Sequence, residues 1–444
     1  MDSLKTFIKK TSPFRKITFS FLMVIVLGSL FLALPAAKRS PGGTYLDALF
    51  TASSAVCVTG LVVHNTATYW TIFGKTVILV LIQIGGLGVI TVVIAGSIVS
   101  HKRIGLRQRN LMQSAVNFPQ LGGIIRFTRF LLLLTLCLET AGAILLSIVF
   151  IPQYGVFSGL YKAVFHSISA FCNAGFDLLG DPAAFSSLTA YRGNTLINVA
   201  IMFLIISGGL GFLSWADMIG TRFRWRRIRM QTKIILLVSL ILIVLPAFIF
   251  YMLDFHGFSL KERILMSLFQ SVTTRTAGFN TADLSGMSEA SRLLIIILML
   301  TGGSPGSTAG GLKTTTFAIT VLACVDFLRQ KKNVTAFNRT IPGHVIMEAF
   351  TLLMFYLTLL LSGSLLMSTF ESLPVLDCMF ECASALGTVG LTTGITPSLG
   401  SFSRIMLILF MYFGRVGGLT LAYSMLVGTK ADPGKYPEET IMVG

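Results

Sequence analysis

Four short stretches of this chain run through small or hydroxyl-bearing residues to a glycine: VCVTG (56–60), FCNAG (171–175), TRTAG (274–278) and GTVGL (387–391). None of them brings a nucleophile beside a base, a pair of carboxylates or a metal-ligand set. What they can present is backbone oxygen. A cation that sheds its water shell needs replacement oxygens, and a ring of carbonyls supplies them without net charge. Aiming successive carbonyls to one side requires left-handed or otherwise rare backbone angles, which glycine adopts without steric cost. The candidate ion-binding positions are therefore Val58, Thr59 and Gly60; Asn173, Ala174 and Gly175; Thr276, Ala277 and Gly278; and Thr388, Val389 and Gly390. Their carbonyls, not their side chains, are the expected ligands.

A fifth stretch, TGGSPGSTAGGLKTTT (301–316), comes close to a phosphate-binding loop. Gly306 and Gly311 have the spacing, but Leu312 stands where the lysine belongs. The motif also needs a strand before it, and here the apolar run LLIIILML (293–300) precedes. Pro305 and the glycines cannot hold a regular helix. Glycines permit motion, and the hydroxyls of Ser304, Ser307 and Thr308 can line water. A mobile restriction, a packing kink and a nucleotide site are the three readings of this loop, the last the weakest.

The elements that must position these groups are membrane helices. Over half of the 444 residues are hydrophobic and only 12% are charged, which a soluble domain of this length would not tolerate. The apolar runs near the length of a span are 17–35, 72–100, 124–151, 194–220, 234–254, 291–328 (interrupted), 345–370 and 403–428. The first is too long for a signal-peptide core. A net charge of +17 could point to nucleic acid, but its placement argues otherwise. Basic clusters fall before the first run (Lys5, Lys9, Lys10, Arg15, Lys16) and after the second (Lys102, Arg103, Arg107, Arg109). Others follow the fourth (Arg222 to Lys233) and the sixth (Arg329, Lys331, Lys332, Arg339). That is the positive-inside pattern, with lipid as the partner and both termini cytoplasmic. The six cysteines and five histidines are scattered, so no structural zinc or catalytic triad is expected.

The segments between paired runs repeat. Each has a short helix-like piece with a phenylalanine (Phe50, Phe165, Phe269, Phe380) and reaches its glycine nine or ten residues later. The run after each carries a glycine pair or its like: IGGLG (84–88), SGGLG (207–211), TGGSP (301–305) and VGGLT (416–420). The unit is span, re-entrant pore loop, span, four times. Non-helical backbone at membrane depth survives only inside protein or against water. The expected fold is thus an all-α polytopic membrane protein with eight transmembrane helices and four pore loops in pseudo-fourfold symmetry. Repeat 1 covers 1–100 and repeat 2 covers 101–220. Repeat 3 covers 221–328 with the loop at 301–313, repeat 4 covers 329–428, and a polar tail covers 429–444. Four ordinary external loops packed on the bundle are the bland alternative.

Two arginines stand out. Arg415 lies deep in the last run, where a charge costs about 2.5–3.5 kcal/mol on insertion scales and usually faces a cavity or partner. Aligned on the glycine pairs it falls level with Gln83 and Leu300, below the carbonyl ring and beside the loop. There it would repel cations or hold the loop through carbonyls; a salt bridge to Glu139 or Glu348 is the competing reading. Arg275 is expected to brace the third strand by hydrogen bonds to carbonyls, with Asp283 or Glu289 nearby. Lys313 ends the loop and could anchor it or tune its charge.

Val58-Thr59-Gly60 and Val389-Gly390 echo a minimal potassium filter. With RTAGFN (275–280), GGSPGSTAGG (302–311) and FGRVGGLT (413–420), the chain from about Pro13 onward resembles the Trk/Ktr/HKT superfamily of potassium transporters. It is most similar to the membrane subunit of bacterial Ktr systems. The resemblance implies potassium uptake, often sodium-dependent, one pore per chain, a homodimer and a cytoplasmic nucleotide-binding regulatory ring of the Ktr type. It implies no covalent cofactor and no enzymatic activity, with potassium as substrate and sodium as an activator. It assigns Gly302, Gly303, Ser304, Pro305, Gly306, Ser307, Thr308, Gly310, Gly311 and Lys313, with Arg415, to a gate. It gives the tail a share of the dimer contact, a frayed terminus being the alternative, and it offers the links at 101–123, 221–233 and 329–344 as the regulator's docking surface. A serine in place of Gly60 accompanies sodium selectivity in plant relatives, so glycine favours potassium, while Cys57 and Cys172 depart from some relatives. The translocating subunit of a P-type pump, a sodium-selective uniporter and a membrane nucleotide-binding enzyme are the rival functions.

Overall fold

The computed structural model describes residues 13–39, 42–99, 113, 123–179, 185–418, 420–421 and 439. The first three lysines of the N-terminal cluster, the basic cluster at 102–109, most of the 101–123 link and all but one residue of the tail lie outside them.

The described chain is helical and runs the same course four times. A long helix is followed by a short one, then a turn with a glycine, then a further helix. In the first unit these are α1 (Pro13–Ala33), α2 (Tyr45–Val56) and α3 (Ile72–Leu87), continued by α4 (Val89–Val99). The second has α5 (Ile124–Tyr154), α6 (Val156–Phe171), α7 (Thr195–Gly209) and α8 (Phe212–Gly220). The third has α9 (Met230–Leu253), α10 (Leu260–Thr273), α11 (Glu289–Leu300) and α12 (Thr314–Leu328). The fourth has α13 (Gly343–Glu371), α14 (Val375–Gly387) and α15 (Ser401–Val416).

Local sequence sets the starts. Thr44 with Asp47, and Ser259 with Glu262, form reciprocal capping boxes at the heads of α2 and α10. Thr71, Asn194 and Ser288 cap α3, α7 and α11 through their side-chain oxygens. The long helices present apolar side chains outward, such as Leu133, Leu136, Ile144 and Ile148 on α5. Such a face suits lipid rather than water.

Among the described residues four helices are long and apolar enough to cross a membrane: α1, α5, α9 and α13. A fifth is counted if α7 and α8, bent by 91° at their junction, form one span. The eight apolar runs of the sequence therefore do not become eight straight helices. Only the third of the second-member runs was marked for interruption by its composition, yet all four break at their glycines. Gly88, Gly211 and Gly417 stand at φ 84°, 85° and 90°, which ends the helix before each of them. A single left-handed residue stops a helix without changing its apolar composition.

Each long helix packs on the short helix of its own unit: α1 on α2, α5 on α6, α9 on α10, α13 on α14. Each second-member helix packs on the short helix of the next unit: α3 on α6, α7 on α10, α11 on α14, and α15 back on α2. The order closes into a cycle. Each of α3, α7 and α15 also packs on the short helix of its own unit, α2, α6 and α14, and there a glycine lets the two backbones approach closely. A Cβ on Gly85 would overlap the Val56 carbonyl, one on Gly208 the Phe171 carbonyl, and one on Gly414 the Leu386 carbonyl. Val56, Phe171 and Leu386 each lie four residues before their turn glycine.

These contacts also set the register of the fourth unit. Gly414 matches Gly85 and Gly208, and Gly417 matches Gly88 and Gly211. Arg415 therefore occupies the place of Gly86, Gly209 and Gly303, not the level of Gln83 and Leu300 inferred from the glycine pairs.

Adjacent glycines give a sharp test of this packing. Gly208→Ala should cost about 1–3 kcal/mol by overpacking and lower the melting midpoint of the purified protein in detergent. Gly209→Ala, whose Cβ would meet nothing within 4 Å, should leave the midpoint within about a degree, as for an unhindered surface change. Equal midpoints for the two variants would contradict the backbone contact.

Candidate functional site

The four turn glycines meet at the centre of the cycle. Gly60, Gly175, Gly278 and Gly390 have φ of 94°, 67°, 80° and 90°. The side of Gly60 where a Cβ would stand faces the Ala174 carbonyl at 2.5 Å, and that of Gly175 faces the Ala277 carbonyl at 2.7 Å. Gly278 faces the Val389 carbonyl in the same way, and Gly390 faces that of Thr59. Each glycine thus touches the residue that precedes the glycine of the next unit, and the series returns to its start. No residue with a Cβ fits at any of the four.

The backbone alternates in hand on the way to each glycine. Two residues earlier, Val58, Asn173, Thr276 and Thr388 also lie at positive φ, of 55°, 57°, 78° and 52°. Three of the four are β-branched, for which such angles are outliers. Residues held this way cost of order 1–3 kcal/mol each and persist only when their surroundings over-determine them. Serines do so here. Ser54 accepts from the Thr59 N–H through its carbonyl (2.8 Å) and from the Gly60 N–H through its Oγ (3.0 Å). Ser384 treats Val389 (2.8 Å) and Gly390 (3.0 Å) identically. Ser169 accepts from Ala174 (2.8 Å) and donates to the Phe176 carbonyl (2.8 Å). In the third unit Thr273 stands at this place, one residue nearer its glycine, accepting from Ala277 at 3.0 Å and donating to Phe279.

The C-terminal ends of α2, α6, α10 and α14 converge on this ring. The partial negative charge of a helix C-terminus favours a cation there. A cavity of about 110 Å³ opens on one side of the ring, lined by the four glycines with Asp177, Asn280 and Thr392 among others. A second cavity, of about 250 Å³, is lined by Gly86, Ser307, Ala309, Lys313, Tyr356 and Arg415 among others.

The loop 301–313 is tied to the second and fourth units. Within the loop, Gly302 donates to the Leu312 carbonyl (2.8 Å). Ser304 donates to Gly209 (2.9 Å) and Thr308 to Gly208 (3.2 Å) through their N–H groups. The Thr308 hydroxyl donates to the Phe171 carbonyl (2.9 Å) and accepts from Asn173 Nδ2 (2.9 Å). On the opposite side Gly311 donates to the Gly414 carbonyl (3.1 Å), and a Cβ on Gly310 would overlap the Thr388 hydroxyl. Gly303 and Thr314 close the loop's end at 3.1 Å. Lys313 Nζ donates to the Ala309 carbonyl at 2.8 Å, so it anchors within the loop. Pro305 and Gly306 reach toward α8, where the Phe212 N–H donates to the Gly306 carbonyl (2.9 Å). Ser304 and Thr308 are fully buried.

Arg415 lies across the loop. Its guanidinium donates to the carbonyls of Thr308 and Gly85, and to that of Gly86 at 3.0 Å. Its hydrogen bonds go to backbone, not to Glu139 or Glu348. Glu139 instead accepts from Gln83 Nε2 at 3.2 Å. Arg275 braces its strand against a different partner from those expected. It is buried and donates to the hydroxyl (3.1 Å) and carbonyl (3.5 Å) of Ser239 on α9. Asp283 bonds to Ser285, and Glu289 pairs with Arg292.

The likeness of this geometry to known proteins extends along the chain. The TrkH family model, described as a cation transport protein, matches residues 2–430. This chain belongs to the TrkH family. It is a multi-pass membrane protein of a family of transporters rather than enzymes. The potassium/sodium uptake protein NtpJ of Enterococcus hirae is 39% identical, over 98% of both chains. The Ktr system potassium uptake protein B of Bacillus subtilis is 37% identical, over 100% of this chain and 99% of that one. The crystal structure of the potassium transporter TrkH from Vibrio parahaemolyticus superposes with a TM-score of 0.74 at 18% identity. It covers 94% of this chain and 86% of its own, so the two share a fold.

Losing the guanidinium should loosen the loop. In Arg415→Ala, amide hydrogen exchange across 302–312 should quicken by about tenfold or more, as expected when a charge-assisted hydrogen bond is lost from a local opening. Exchange in α9 should not change. Unaltered exchange in the loop would show that Arg415 does not hold it.

Proposed function

We propose that this protein carries potassium into the cell through a single pore whose selective part is the ring at Gly60, Gly175, Gly278 and Gly390. The observation that carries the reading is the closed cycle of glycine-to-carbonyl contacts. Only a central axis places one strand of each unit against the next, and alternating backbone hand turns carbonyls of Val58, Thr59 and Gly60 and their counterparts toward it. Rings of carbonyls replace a potassium ion's water, and four helix C-termini add to the attraction.

In this reading the chain crosses the membrane eight times, each second member being a broken span, and the short helices are re-entrant pore helices. The carbonyl ring lies toward the outside and the loop 301–313 beneath it. The loop is the gate: it closes the path below the ring, and Arg415 keeps it there by gripping the Thr308, Gly85 and Gly86 carbonyls while placing positive charge under the ion. The names of the relatives, with potassium in each and sodium beside it in NtpJ, support potassium as substrate and sodium as a participant. Relatives named for the Ktr system support a partner subunit that regulates the gate, here a cytoplasmic nucleotide-binding ring acting on a homodimer. Both termini face the cytoplasm, as the basic clusters require.

Uptake in cells that lack their own potassium systems tests this. The parent protein should restore growth at low potassium. Gly60→Ser and Gly278→Ser place a Cβ against a carbonyl and should lower the preference for potassium over sodium by about tenfold, equivalent to some 1.4 kcal/mol between the two ions. Serine variants that match the parent in both fluxes would remove these glycines from the ion path.

A further inference from the structure

Behind each strand, the short helix carries a polar residue directly after its phenylalanine. Thr51, His166, Gln270 and Glu381 follow Phe50, Phe165, Phe269 and Phe380. All four polar side chains are buried, three of them completely. Buried polar groups are costly unless they find partners, so where these four bond is informative.

Glu381 accepts three hydrogen bonds: from the Thr392 hydroxyl, from the Thr396 hydroxyl at 2.8 Å and from the Thr393 N–H at 3.3 Å. His166 bonds the Lys162 carbonyl through Nδ1 at 2.7 Å, and its Nε2 accepts from the Leu178 N–H at 3.3 Å. Those two bonds select the neutral ring with its proton on Nδ1. Thr393 and Leu178 occupy the same place, three residues after Gly390 and Gly175. Two of the four units therefore tie the same helix position to the same backbone N–H. In the third unit the corresponding residues are Gln270 and Thr281, and both amide atoms of Gln270 and the Thr281 hydroxyl are buried without a protein partner. Thr51 bonds only back to Asp47 in its own helix, at 2.9 Å.

We propose that Glu381 and His166 are positioning residues for cation selection. They fix the outer end of the fourth and second strands from behind, without touching the ion. The inner end is already held: Ser384 bonds Gly390 in the fourth unit, and Ser169 bonds Ala174 in the second. A strand pinned at both ends keeps its carbonyls apart and resists closing around a smaller cation. A strand released at its outer end can relax inward and accept sodium. The first and third units lack this direct bond, so selectivity is held by two opposite strands of the four. This inference rests on the reading of the four glycines as the selective ring.

The test compares potassium and sodium uptake, each divided by the amount of transporter in the membrane. Glu381→Ala should lower the potassium preference by about fivefold or more, the fold-change of one buried hydrogen bond. Glu381→Gln keeps an acceptor oxygen for Thr392 and Thr393 and should stay within about twofold of the parent. His166→Ala reads the same brace in the second unit and should fall in the same direction. Should Glu381→Ala not reach the membrane, an unchanged preference in His166→Ala overturns the proposal. Equal losses in Glu381→Ala and Glu381→Gln overturn it too, because the acceptor is then not what matters. Gly278→Ser, run alongside, separates the two failures. If it alters the preference while Glu381→Ala and His166→Ala do not, the brace is wrong and the ring stands. If no variant alters it, the ring itself is wrong.

Discussion

Everything in this molecule depends on how closely four backbones can approach one another. At each of four points a carbonyl of one unit rests where a Cβ of the preceding unit would be, and glycine is the residue that leaves that space open. The consequence runs outward. Because the four strands touch in a cycle, the short helices must end around one axis. Because those helices end there, the second-member helices must lie close against the end of their own unit's short helix, which in turn calls for glycine at 85, 208 and 414. The strained angles at Val58, Thr276 and Thr388 persist because serine and threonine bonds from behind leave the strands no cheaper arrangement. Structure built for such contacts is less forgiving than a hydrophobic core, since an added methyl meets backbone rather than a side chain that can turn aside.

The fourfold pattern is broken at two places. Two second-member helices have a glycine directly after their contact residue, Gly86 and Gly209; the third run has Gly303 in its loop, and the fourth has Arg415. The third has the loop 301–313 in place of a simple break. These two departures meet: the arginine of one unit grips a carbonyl of the loop of another, and a second unit's carbonyls besides. The charge is accommodated among carbonyl dipoles, which explains how an arginine can stand in this apolar run without a carboxylate. Thr308, whose carbonyl Arg415 grips, also accepts from Asn173 through its hydroxyl, so the glycine strands and the loop form one connected polar structure.

Much of this was legible in the residues. The spacing from phenylalanine to glycine marked the four strands because one turn geometry is needed four times. Proline and clustered glycine marked the loop. The breaks at Gly88, Gly211 and Gly417 were not legible, because one left-handed residue leaves an apolar run looking continuous. The register of the fourth unit misled for a related reason: Gly414 and the Gly417–Gly418 pair are close enough to be confused, and only the contact with the Leu386 carbonyl distinguishes them. A carbonyl brace for Arg275 is legible in the sequence, but its partner, Ser239, lies on a helix distant in sequence and not among the nearby acidic residues. The polar residue after each phenylalanine was in plain view. Its meaning needed the backbone three residues past the glycine, which spacing alone does not bring alongside.

The most direct measurement is the anomalous difference map of crystals grown with rubidium in place of potassium. A peak is expected on the axis enclosed by the carbonyls of Thr59, Ala174, Ala277 and Val389, weakened when sodium replaces rubidium. A structure with rubidium bound elsewhere and no peak on that axis would contradict it.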